Sequence, residues 1–64
     1  MKSTRHQSGY YTLTGYMRGS LTQYSVMNIG GFWAINRTYG NGPEFHHAYK
    51  TKSEAIKAVN AYND

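Results

Sequence analysis

The hydrophobic period of this chain changes once, and that change limits what it can fold into. Between residues 10 and 49 the apolar residues alternate with polar ones, as strands require. From "TKSEAIKAVNAY" (51–62) they recur every three to four residues. Thr51 and Glu54 form a capping box, in which a threonine side chain accepts from a backbone N–H of the first turn and the glutamate reaches back. Ala55, Ile56, Ala58, Val59 and Tyr62 then share one broad face, while Lys57, Asn60 and Ala61 lie opposite. A chain of short strands followed by a capped amphipathic helix is a two-layer α+β domain.

The strands are separated by turn signals. "YYTLTGYM" (10–17) and "LTQYSVMN" (21–28) flank "RGS" and form a hairpin through Gly19. "FWAINRTY" (32–39) follows "GG". Its alternation sets Trp33, Ile35, Arg37 and Tyr39 against Phe32, Ala34, Asn36 and Thr38. After "GNGP", a turn rich in residues that accept positive φ, "EFHHAY" (44–49) reads as a returning strand. Residues 1–9 have no period and read as a flexible basic arm, so the ordered domain spans 10–64. The expected architecture is an antiparallel meander of three or four strands with one C-terminal helix across the face that carries Trp33 and Ile35. Phe32, Asn36, Thr38 and His46 are then left on the open face.

With 64 residues the chain is one domain with a small core, and with no cysteine it has neither disulfides nor thiolate metal sites. No apolar run nears the ~18 residues of a membrane helix, and the polar start does not resemble a signal peptide. These features fit a cytoplasmic protein.

Seven Lys and Arg against three acids give a formal charge of +4, which favours anionic partners. The basic residues fall into an arm group, Lys2 and Arg5, and a group around the helix start, Lys50, Lys52 and Lys57. A helix N-terminus flanked by lysines suits a phosphate. Of the ten aromatics, seven are tyrosines. Tyr10, Tyr16, Tyr24, Phe32 and Tyr39 exceed what so small a core can bury. An open sheet bearing aromatics stacks on bases, docks on protein or self-associates.

Catalytic and metal readings find little support. There is no cysteine nucleophile, no serine in a strand–turn–helix elbow, and the acids are dispersed. His46 and His47, adjacent on a strand, would point to opposite faces and could not share one ion. No enzyme activity, metal or other cofactor is expected.

Residues 24 to 62, with the Trp-x-Ile strand, the hairpin and the Thr-x-x-Glu-Ala-x-x-Ala helix start, resemble three-stranded-sheet-plus-helix DNA-binding domains. These are the plant ethylene-response-factor domain and the arm-binding domain of tyrosine-family integrases. The segment also resembles short bacterial β-β-α domains with the same Trp strand and "Thr-Lys-x-Glu-Ala" start. The resemblance implies DNA contact through the sheet. In those families arginines on the sheet read bases, whereas here Phe32, Ala34, Asn36 and Thr38 stand there and Arg37 has the helix-side parity.

The leading expectation is a non-catalytic module that contacts DNA or RNA. Lys2, Arg5, Arg37, Lys50, Lys52 and Lys57 would engage phosphates and Phe32 would stack. The alternatives are a bacteriophage- or mobile-element-type modulator that binds an acidic surface of a host protein, and a homo-oligomeric structural protein joined through exposed strand edges.

Overall fold

The computed structural model describes residues 1–62. Asn63 and Asp64, the end of the expected domain, lie outside the described residues. Four strands form one antiparallel sheet in the order β1-β2-β3-β4: β1 (Lys2–Gln7), β2 (Tyr10–Met17), β3 (Ser20–Ile29) and β4 (Phe32–Tyr39). One helix, α1 (Lys52–Asn60), follows and packs on β3 and β4. The α+β meander with a C-terminal helix is as expected, but two segments differ in how they take part.

The first is the N-terminus. Residues 1–9, expected as a flexible arm, contain β1, which pairs with β2 in the register Lys2↔Thr14, Thr4↔Thr12 and Arg5↔Tyr11. Its sequence shows no period because neither of its faces meets the core: all six residues are exposed. The strand is held by its ladder and by local side-chain contacts. His6 shares a 2.9 Å hydrogen bond with Thr12 and lies 4.9 Å from the Tyr10 ring.

The second is 44–49, expected as a strand. Only Tyr49 joins the sheet, through two backbone hydrogen bonds to Trp33 of 2.7 and 2.8 Å. The preceding loop is drawn across the helix-side face rather than along the edge of β4. The Tyr24 hydroxyl donates to the Pro43 carbonyl, Arg37 Nη1 donates to the Gly42 carbonyl, and Asn41 donates to Thr22 Oγ1 and Ser20 Oγ. Phe45 then packs edge-on against Tyr24, with centroids 5.4 Å apart. Gly42 permits this close approach, since a Cβ there would collide with the Tyr24 hydroxyl and Met17 Sδ.

The core lies between sheet and helix: Leu13, Met17, Tyr24, Val26, Ile35, Ala55 and Val59 are all buried. Tyr24, counted among the surplus aromatics from sequence, is completely buried, whereas Trp33, expected at the centre, is half-buried at the margin. The helix begins where the capping box placed it, with Thr51 extended and its side chain accepting from the Glu54 N–H at 3.2 Å. The β2–β3 hairpin turns through Arg18 (φ 52°) and Gly19 (φ 78°). Two successive positive φ values match the twist of the flanking strands.

Candidate functional site

α1 packs on β3 and β4, and the core beneath it takes in Leu13 and Met17 of β2, so the Tyr11 end of β2 and the β1 strand beside it are left as a shelf next to the first helical turn. Tyr11 stands at its centre. Arg5 is its cross-strand neighbour on β1, and antiparallel partners place their side chains on one face. From the helix, Lys52 sets its ammonium 4.2 Å from the Tyr11 ring centroid. Trp33 completes the corner, its ring 6.0 Å from Tyr11 and tilted by 54°.

Tyr11, Lys52 and Trp33 border an open groove of about 550 Å³, which runs over the β1–β2 turn and is also lined by Gln7, Ser8 and Asn28, with Arg5 on the strand beside it. No described Asp or Glu lines it. No described carboxylate therefore neutralises the cation locally, and it rests on the negative face of an aromatic ring.

The other basic residues expected as contacts scatter. Lys2 pairs with Thr14, so its side chain has the parity of the open sheet face, opposite to Arg5. Arg37 is committed to the 40–48 loop, bonding the Gly42 carbonyl and approaching Glu44 at 3.7 Å. Lys57 belongs to the last turn of α1 and not, as expected, to the helix start. Lys50 is exposed just ahead of the helix. Of the expected phosphate contacts, Arg5 and Lys52 are the two brought together, through Tyr11.

The open face is less of an aromatic platform than its composition suggests. Its middle is a belt of hydroxyls and amides bonded to one another and to the sheet. Gln23 donates to Thr14 Oγ1, Thr38 to the Gln23 carbonyl, and Ser25 to the Asn36 carbonyl. Thr12 and Ser25 are buried within this belt. The exposed apolar residues are thereby split between two ends. Tyr16 and Leu21 pair at one; Met27, Ile29 and Phe32 gather at the other, where Phe32 is 49% exposed.

His46 and His47 lie in the loop and are both exposed, contrary to the strand placement and its opposed faces. His46 Nε2 is 4.0 Å from Glu44. Among the described residues no group of three His, Asp or Glu converges. No helix among them is long and apolar enough to cross a membrane.

Sequence reasoning missed Tyr11, Trp33, Gln7 and Asn28 as site residues. Tyr11 and Trp33 have the core-facing parity, but Tyr11 lies on β2 outside the strands α1 packs on, and Trp33 stands near the start of β4, at the end of the sheet. The meeting of Lys52 with Tyr11, 41 positions earlier in the chain, has no local signature. No family model matches the chain, and comparisons with curated proteins and with solved structures likewise find no match.

Proposed function

We propose that this chain is a non-catalytic nucleic-acid-binding module whose contact surface is the groove at the start of α1. The observation that carries the reading is the Lys52 ammonium, held 4.2 Å over Tyr11 beside Trp33, in a groove lined by no carboxylate among the described residues. A cation next to aromatic faces is the pairing that nucleic acid offers a use for: phosphate for the charge, base for the ring. The formal charge of +4 adds a general attraction. The likeness to sheet-plus-helix DNA-binding domains points the same way, although the contact proposed here lies beside the helix and not on the open sheet.

The test is fluorescence anisotropy on single- and double-stranded oligonucleotides across a salt series. Each lost phosphate contact lowers the slope of log K against log salt by about 0.9 on duplex and about 0.7 on single strands. Lys52→Ala and Arg5→Ala should each reduce the slope by about that amount, and Lys57→Ala should not. Absence of binding to either form at low salt refutes the reading.

The exposed cluster of Met27, Ile29 and Phe32 favours a second reading, a small modulator that docks on a host protein, as a bacteriophage or mobile element encodes. A pull-down from bacterial lysate separates the two. Nuclease-sensitive recovery of nucleic acid supports the first. One stoichiometric, nuclease-resistant protein, lost on Phe32→Ser, supports the second.

A further inference from the structure

We infer that the groove is a subsite for one unpaired nucleotide, with the base on the Tyr11–Trp33 corner and its phosphate on Lys52. This rests on the nucleic-acid reading above and narrows it to single-stranded ligands.

The geometry of the rings supports this. Tyr11 and Trp33 are tilted by 54° with centroids 6.0 Å apart. A flat ring can lie on one of them and turn its edge to the other, the arrangement aromatic groups prefer. A base inside a duplex cannot do this, because its faces are covered by its stacked neighbours and its pairing edge is occupied. Gln7, Ser8 and Asn28 along the rim supply donors and acceptors without fixed charge. Such a set suits the neutral edge of a base better than a second anion.

Lys52 has a particular part in this arrangement. Its ammonium occupies the Tyr11 face when the groove is empty, an attraction weak enough at a partly exposed site to be exchanged. An arriving phosphate draws the ammonium away, and the same step uncovers the ring for the base. Charge and ring are therefore engaged together, and a ligand that carries only one of the two gains less.

Trp33 is the sole tryptophan, so its fluorescence reports from the subsite itself. The probes are a single-stranded oligothymidine, an abasic strand with the same number of phosphates, a hairpin duplex, and polyglutamate. The oligothymidine should quench Trp33 and bind roughly 5- to 100-fold more tightly than the abasic strand, the range that stacking of one base supplies. Tyr11→Leu should abolish that preference while leaving binding of the abasic strand in place. If Tyr11→Leu does not fold, Lys52→Gln provides the check: a lower salt slope with the preference for bases over abasic strand retained.

Equal affinity for the two strands, with Trp33 unquenched, overturns the subsite and leaves phosphate binding standing. Tighter binding of the duplex than of the single strand has the same consequence. If none of the nucleic acids binds at low salt, or if polyglutamate binds as well as oligothymidine, the broader reading fails and the subsite with it.

Discussion

Removing one oxygen atom tests how the 40–48 loop is held. In Tyr24→Phe the ring keeps its buried place and its edge contact with Phe45, while the donor to the Pro43 carbonyl is lost. A net hydrogen bond contributes about 0.5–1.5 kcal/mol, and a stranded buried acceptor raises the cost to about 1–3 kcal/mol. Pro43 is half-buried, so water reaches its carbonyl in part, and the expected loss is about 1–2 kcal/mol. For a domain of this size that lowers Tm by roughly 5–15 °C.

The same substitution carries a pH signature. Burial raises the Tyr24 phenol above its ordinary value, Arg37 and Arg18 draw it partly back, and Glu44 adds to the rise. The folded state therefore holds this proton more tightly than the unfolded chain does. The resulting stability is fully present below the unfolded value of about 10 and is lost as pH rises through the raised folded value. The stability gap between the parent and Tyr24→Phe should then narrow above about pH 10. Urea denaturation at a series of pH values measures the gap, with Tyr16→Phe, at a 65% exposed tyrosine, as the control. An unchanged midpoint at neutral pH, or a gap that stays constant into the alkaline range, would refute the account of the loop.

Three further outcomes are open to measurement. Thr51→Ala should cost about 1 kcal/mol in a thermal melt and Thr51→Ser much less, because the side-chain oxygen caps the Glu54 N–H. Gly42→Ala should destabilise by about 1–3 kcal/mol, since its Cβ meets the Tyr24 hydroxyl and Met17 Sδ; a neutral result in denaturant would mean the loop sits further from the core. Paired loss of Arg5 and Lys52 should reduce the salt slope by about 1.4 on single strands, the sum of two contacts, with Lys50→Ala tested beside it to place that exposed lysine.

The sequence expressed its folding rules unevenly. β2, β3, β4 and α1 were legible because each turns a regular apolar series to the core, as with Leu13, Val26, Ile35 and Val59. β1 was not, since an edge strand outside the helix's reach has no apolar face to display. The segment 44–49 alternates like a strand, but Tyr24 and Arg37 capture the loop ahead of it, and contacts of that range leave no periodic trace. For the site, composition marked the cations and aromatics correctly as classes. Which cation meets which ring depends on where α1 crosses the sheet, and that follows from core packing rather than from any local spacing.

β1 is an outer strand with a partner on one side only, and all six of its residues are exposed. Such a strand opens at a lower free energy than the sheet interior. Yet it contributes Arg5 and Gln7 to the surface around Tyr11, so part of the groove forms and disperses with it. Apparent affinity is then the intrinsic affinity scaled by the fraction of molecules in which β1 is paired. A bound ligand would return that dependence by slowing amide exchange along β1, including at residues it does not touch. Substitutions that firm the β1–β2 ladder, such as β-branched residues at Ser3, would tighten binding without adding a single contact to the ligand.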